Sequence, residues 1–213
     1  MAFRHKTHCP APPRPPRRPE RRPGRAVLWQ GLVLALGLGT LWGPAPAWAS
    51  ARDGMTAYQQ EDYPRARQEF SRAARAEPGR LELTFNLGAA AYCQGDYPAA
   101  LEAFRTAAKS PNQALANRAA YNLGNTYFRL GEKELARDPE ETVRQWRLAL
   151  AAYGRALKLN PADSEADHNR EVVRDRLADL ETSLAEANTA RSPEERADIL
   201  APPRGNCPAG AKP

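Results

Sequence analysis

The sequence predicts an all-α fold: a short superhelix of three helix-turn-helix repeats, the third with a lengthened second helix, closed by a C-terminal capping helix. Three observations carry that expectation. Gly54 and Gly88, Tyr63 and Tyr97, Ala66 and Ala100, Phe70 and Phe104, and Ala73 and Ala107 are identical pairs, each 34 positions apart. Gly124 and Gly131 follow Gly88 and Gly95 by 36, whereas Ala149, Tyr153 and Ala156 follow Ala100, Phe104 and Ala107 by 49, so 13 residues have entered after Gly131. Pro78 and Pro111 close the first two copies. A fixed period in this range marks a solenoid, whose units cannot bury their apolar faces alone.

Before the repeats lies a segment of different character. Eight of the 31 basic residues but only one of the 25 acidic residues fall in positions 1–25, and positions 26–49 carry no charge. The basic balance of the chain, +6 overall, therefore belongs to its first segment, and the remainder holds 23 basic against 24 acidic residues. A positive stretch, an apolar run from Ala26 to Trp42 and Ala47-Trp48-Ala49 ahead of Ser50 are the three parts of a secretory signal. Residues 1–49 are expected to be that signal, with Pro44 and Pro46 leaving the cleavage site extended and the mature chain starting at Ser50. The competing reading is an uncleaved anchor, because the apolar run is near the lower length for spanning a bilayer. Export would place the chain in the periplasm or outside the cell. Cleavage would also remove the basis for nucleic-acid binding.

Residues 50–189 are expected to form the repeat domain. Gly54 and Gly88 in the first helices, with Ala66 and Ala100 in the second, let paired helices approach closely. Tyr63 and Tyr97 start the second helices, and Phe70 and Phe104 fill the space between repeats. In the third copy, Asp138 is placed to cap a helix with Pro139 at its first position and Glu141 three beyond the cap. From Pro139 to about Leu159 that helix would run roughly 30 Å. Val143, Trp146, Leu150, Tyr153 and Leu157 keep one apolar stripe along it. Beyond Pro161, Ala166, Val173, Leu177, Leu180 and Leu184 predict a capping helix with a polar outer face. From residue 190 periodicity fades, and the tail to 213 is expected to be disordered.

Three cysteines are present. Cys9 belongs to the signal; export would permit a disulfide between Cys93 and Cys207, but with Cys207 in a Pro/Gly-rich tail both are expected as thiols, Cys93 packed or half-exposed and Cys207 free. Of the histidines, His168 alone lies beyond the signal, without a second ligand at metal spacing. No nucleophile elbow or glycine-rich phosphate loop is present. The sequence thus argues against an enzyme and against a cofactor or metal.

NLGNTYFRLG at 122–131, ALAAYGRALKLNPAD at 149–163 and ADHNREVVRDRL at 166–177 resemble tetratricopeptide-repeat proteins, whose unit is 34 residues long. More narrowly, they resemble the exported repeat proteins of bacterial aerotolerance-type gene clusters, which accompany membrane proteins with von Willebrand A domains. The resemblance implies a protein-protein interaction scaffold, accessory to assembly at the periplasmic side of the inner membrane, with a von Willebrand A protein among its partners. Such repeats bind partners on the concave surface of their first helices. By repeat position that surface would hold Phe85, Asn86 and Tyr92 from the second copy and Arg118, Tyr121, Asn122, Asn125, Phe128 and Arg129 from the third. The competing reading makes the aromatics inter-repeat core and bonds the asparagines to neighbouring backbone. Asn86 matches one position of a carboxylate clamp, but Ala51 and Met55 stand where the first repeat would supply Lys and Asn. Trp146, in the lengthened helix, is a further docking candidate.

The alternative function is a cell-envelope, peptidoglycan-related enzyme subunit using the carboxylates of Glu140 and Glu141. Charged helix starts are more often caps.

Overall fold

A computed structural model describes Pro10 and residues 47–190. The expected signal up to residue 46, Pro10 apart, and the tail beyond Ala190 lie outside the described residues. Within them the chain forms seven α-helices and no strand: α1 (Ala47–Gln59), α2 (Tyr63–Ala76), α3 (Leu81–Cys93), α4 (Tyr97–Ala107), α5 (Gln113–Glu134), α6 (Pro139–Leu159) and α7 (Ser164–Ala190). Each odd-numbered helix up to α5 packs on the next to make a repeat, and α2 on α3, α4 on α5 and α6 on α7 join the units. The last helix thus takes the place that the first helix of a fourth repeat would occupy.

The repeat frame has a local cause at each second helix. Asp62, Asp96 and Asp138 cap α2, α4 and α6 by accepting from the amides of Arg65, Ala99 and Glu141 at 3.2, 3.2 and 2.8 Å. Each of these helices has proline in its first turn, where no amide partner is lost. The turns before α2 and α4 need a left-handed residue, and the second supplies it cheaply with Gly95 at φ 74°. The first has Glu61 there, at φ 60°.

One core runs the length of the domain, from Met55 on α1 to Leu177 on α7. Phe70, Phe85, Phe104, Phe128 and Tyr153 are its largest fully buried side chains. Each such ring contributes roughly 1.5–3 kcal/mol relative to exposure. The helical glycines are the sockets for these rings. A Cβ on Gly54 would lie 2.8 Å from Phe70, on Gly88 3.0 Å from Phe104, and on Gly124 2.4 Å from Tyr153.

Four expectations are corrected. The residues ahead of Ser50 are not extended: Ala47, Trp48 and Ala49 are the first turn of α1, and Ser50 is buried. The insert lengthens both helices of the third repeat, since α5 continues past Gly131 to Glu134 before the chain turns. Gly131 stays helical because its bare Cα lets the Trp146 indole in, and a Cβ there would lie 2.5 Å from that ring. Trp146 itself is not part of the added length. It follows Tyr97 by 49, the offset of the rest of α6, and so holds the position of Tyr63 and Tyr97. Finally, Cys93 is not a thiol but disulfide-bonded, with its partner outside the described residues.

Among the described residues no helix is long and apolar enough to cross a membrane.

Candidate functional site

The odd-numbered helices line one side of the superhelix, and the predicted groove residues fall on them. Their exposure divides them sharply. Arg118, Tyr121 and Arg129 are half-buried on α5. Phe128 is fully buried, and Asn86, Asn122 and Asn125 are each at most 8% exposed. Phe85, beside Asn86, is fully buried with its ring centroid 5.3 Å from that of Phe104. Phe85 and Phe128 are therefore core, and a partner cannot reach them without displacing other side chains.

The asparagines have internal partners. Asn122 donates to the Arg118 carbonyl of its own helix at 2.8 Å. Asn125 Oδ1 accepts from the Tyr153 hydroxyl at 2.7 Å and from Asn169 Nδ2 at 3.2 Å. Asn169 Nδ2 also donates to the Tyr121 hydroxyl at 3.1 Å. Asn86 donates to the Met55 sulfur at 3.9 Å, while its own Oδ1 is buried with no hydrogen-bond partner. With Met55 in contact, the first repeat offers no second amide for a carboxylate clamp.

A charged cluster covers the C-terminal part of α5. Arg129 donates to the Tyr97 hydroxyl at 3.1 Å and pairs with Glu132 at 2.8 Å. Arg176, from α7, reaches the other oxygen of Glu132 at 3.2 Å and lies over the Phe128 ring at 5.3 Å. Lys133 stands over the Tyr97 ring at 4.5 Å and donates to the Gly95 carbonyl. At the other end of α5 the Arg118 guanidinium sits 4.8 Å over Phe85, and burial lowers its pKa from the ordinary arginine value. Burial raises the pKa of Tyr92 and Tyr121 above the ordinary phenol value.

Trp146 is 3% exposed, so it is no docking surface. Its indole stacks on Phe128 and donates to the Phe128 carbonyl. Outside it, α6 and α7 leave a shallow trough lined by Glu140, Val143, Arg144, Arg147, Glu181 and Leu184, crossed by the Arg147 to Glu181 pair at 2.8 Å. Glu141 is bonded by Gln145 and Arg144, and these bonds lower its pKa. A general acid needs the opposite shift. No group of three or more His, Cys, Asp or Glu side chains among the described residues is arranged to hold a metal ion.

This architecture has known counterparts. The tetratricopeptide-repeat family model matches residues 53–114 and 94–145. The helical repeats across residues 53–145 thus match tetratricopeptide repeats. The first TPR domain of the human RPAP3 protein, solved by NMR, is similar in fold, with a TM-score of 0.54 and 21% identity over 66% of this chain and 99% of that one. No curated protein matches the chain. Tetratricopeptide folds are scaffolds for protein or peptide partners.

Residues that spacing did not single out complete the concave side. Tyr58 precedes Tyr92 by 34 and shares its place in the repeat, a signal present in the sequence. Asn169, Glu132 and Arg176 had no such marker, because they matter only through contacts made between α5 and α7.

Proposed function

We propose that the chain is an exported, non-catalytic scaffold that binds a peptide or protein partner along the concave side of its tetratricopeptide repeats. The observation that carries this reading is α5, where Arg118 and Tyr121 towards one end and Arg129 towards the other are only half-buried while the Phe85 and Phe128 rings are locked in the core. Guanidinium groups suit a partner's carboxylates and backbone carbonyls, and a half-buried site strengthens such bonds.

Export rests on the signal architecture of residues 1–49. The disulfide at Cys93 agrees with an oxidising compartment. An accessory role in assembly at the periplasmic side of the inner membrane, with a von Willebrand A domain protein as partner, rests on the family resemblance of 122–131, 149–163 and 166–177. The enzyme-subunit reading finds little support, since Glu141 is occupied by Arg144 and Gln145.

Affinity capture from solubilised membranes tests the scaffold, comparing the native chain with an Arg118→Glu, Arg129→Glu variant of unchanged circular dichroism. A partner retained by the native chain and lost by the variant supports the reading. An identical partner set for both defeats it.

A further inference from the structure

The bond that export would cut is not presented as a peptidase needs it. Substrate is taken as an extended strand, with the side chains around the scissile bond in pockets, and chains are nicked where they are exposed and irregular. Ala49 and Ser50 instead lie in the first turn of α1, which begins at Ala47. Ser50 is 3% exposed and Ala51 4%.

Helix ends ordinarily fray at little cost. This one is pinned. Ala51 packs with Ala73 of α2 and Leu83 of α3. One turn further, Gly54 takes the Phe70 ring of α2 so closely that a Cβ there would lie 2.8 Å from it. Drawing residues 47–51 out as a strand would therefore unwind the start of α1, expose Ser50 and take Ala51 out of the seam between the first two repeats.

Cutting would also change the charge at that spot. Hydrolysis adds water across the Ala49–Ser50 amide, leaving a carboxylate on Ala49 and an ammonium on Ser50. In the present fold that ammonium would stand buried at the positive end of a helix dipole, where both burial and the dipole disfavour a cation. The start of α1 thus suits the uncut chain.

We infer that Ala49–Ser50 is a processing site which the fold itself closes: a signal peptidase cuts it only until the first repeat docks, and a chain that folds first keeps the apolar run Ala26–Trp42. This rests on the export reading and adds what controls it. The order of folding and cutting decides whether the scaffold is released or stays joined to its apolar N-terminal segment.

The test sets detergent-solubilised signal peptidase on the full chain and on a peptide of residues 25–56, which carries the apolar run and the same bond without the repeats. Intact mass follows the cut after Ala49. A third substrate, the full chain with Gly54→Leu, leaves residues 47–51 unchanged and drives a side chain into the Phe70 ring, lifting α1 from α2. The peptide and the Gly54→Leu chain are expected to be cut at least about ten-fold faster than the native chain, since cleavage follows the population of the opened form. A native chain cut as fast as the peptide overturns the inference and leaves the export reading standing. If the peptide is cut while the native and Gly54→Leu chains both resist, the inference also falls, because the resistance then does not come from the packing of α1. If no substrate is cut at this bond, the signal and the inference fall together, and the capture experiment with Arg118→Glu, Arg129→Glu still decides the scaffold.

Discussion

The indole N–H of Trp146 donates to the Phe128 carbonyl at 3.2 Å while the two rings stack at 21°. This pair joins α6 to α5 where the inserted residues enter, and Thr142 reinforces it by donating to the Gly131 carbonyl at 3.0 Å. The extension is thus bonded to the repeat rather than appended to it.

Trp146→Ala should accordingly behave as a core deletion and cost about 3–5 kcal/mol. Trp146→Phe keeps the stacking surface and loses the indole donor, for about 0.5–1.5 kcal/mol. Urea unfolding followed by circular dichroism checks both. The order of the two losses matters most: a Phe variant as unstable as the Ala variant would mean that the bond, not the packing, holds the extension.

The glycines separate packing from helix propensity. Gly124→Ala would press a methyl group into the Tyr153 ring, and overpacking of this kind costs about 1–3 kcal/mol. Gly154, in the middle of α6, has nothing within 4 Å of a built Cβ. Gly154→Ala should therefore stabilise the chain by about 1 kcal/mol, the ordinary helix gain. Glu61→Gly should also stabilise it, by about 1 kcal/mol, because the left-handed turn there carries a side chain where the second repeat has Gly95. Thermal unfolding of the three variants should give one midpoint lowered and two raised.

Buried phenols make stability fall at alkaline pH. Burial raises the pKa of Tyr58, Tyr92, Tyr121 and Tyr153 in the folded chain above that of unfolded tyrosine, which is about 10. Above pH ~10 the unfolded chain loses these protons while the folded chain keeps them, so deprotonation favours unfolding. The contribution is complete below pH ~10 and is lost as pH rises through the folded values. The urea midpoint should hold between pH 8 and 9.5 and drop by pH 11, and Tyr153→Phe should flatten that drop. A midpoint unchanged at pH 11 would contradict the burial of these hydroxyls.

Much of the fold was legible because repetition encodes it. The 34-residue offsets located paired glycines and rings, and the Asp138-Pro139 start of α6 was readable as a cap followed by a permitted proline. The far end of α5 was not. Gly131 matches the turn glycine Gly95 in register, and only the presence of Trp146 across from it explains a glycine inside a helix. The site was legible as a face but not as an exposure pattern. Spacing put Asn122, Asn125 and Phe128 on one side of α5, yet what buries them comes from α6 and α7: Tyr153, Asn169 and Arg176. Helical periodicity cannot report partners 28 to 48 residues away. Nor can three cysteines declare which of them pair.

The central claim is that partners meet the chain along the concave helices. A photo-reactive phenylalanine analogue placed singly at Tyr121 on α5 or at Leu148, 44% exposed on α6, tests this in intact cells. The account predicts cross-linked partner from position 121 and none from position 148. Cross-links from position 148 alone would contradict it and move the interface to the opposite side of the superhelix.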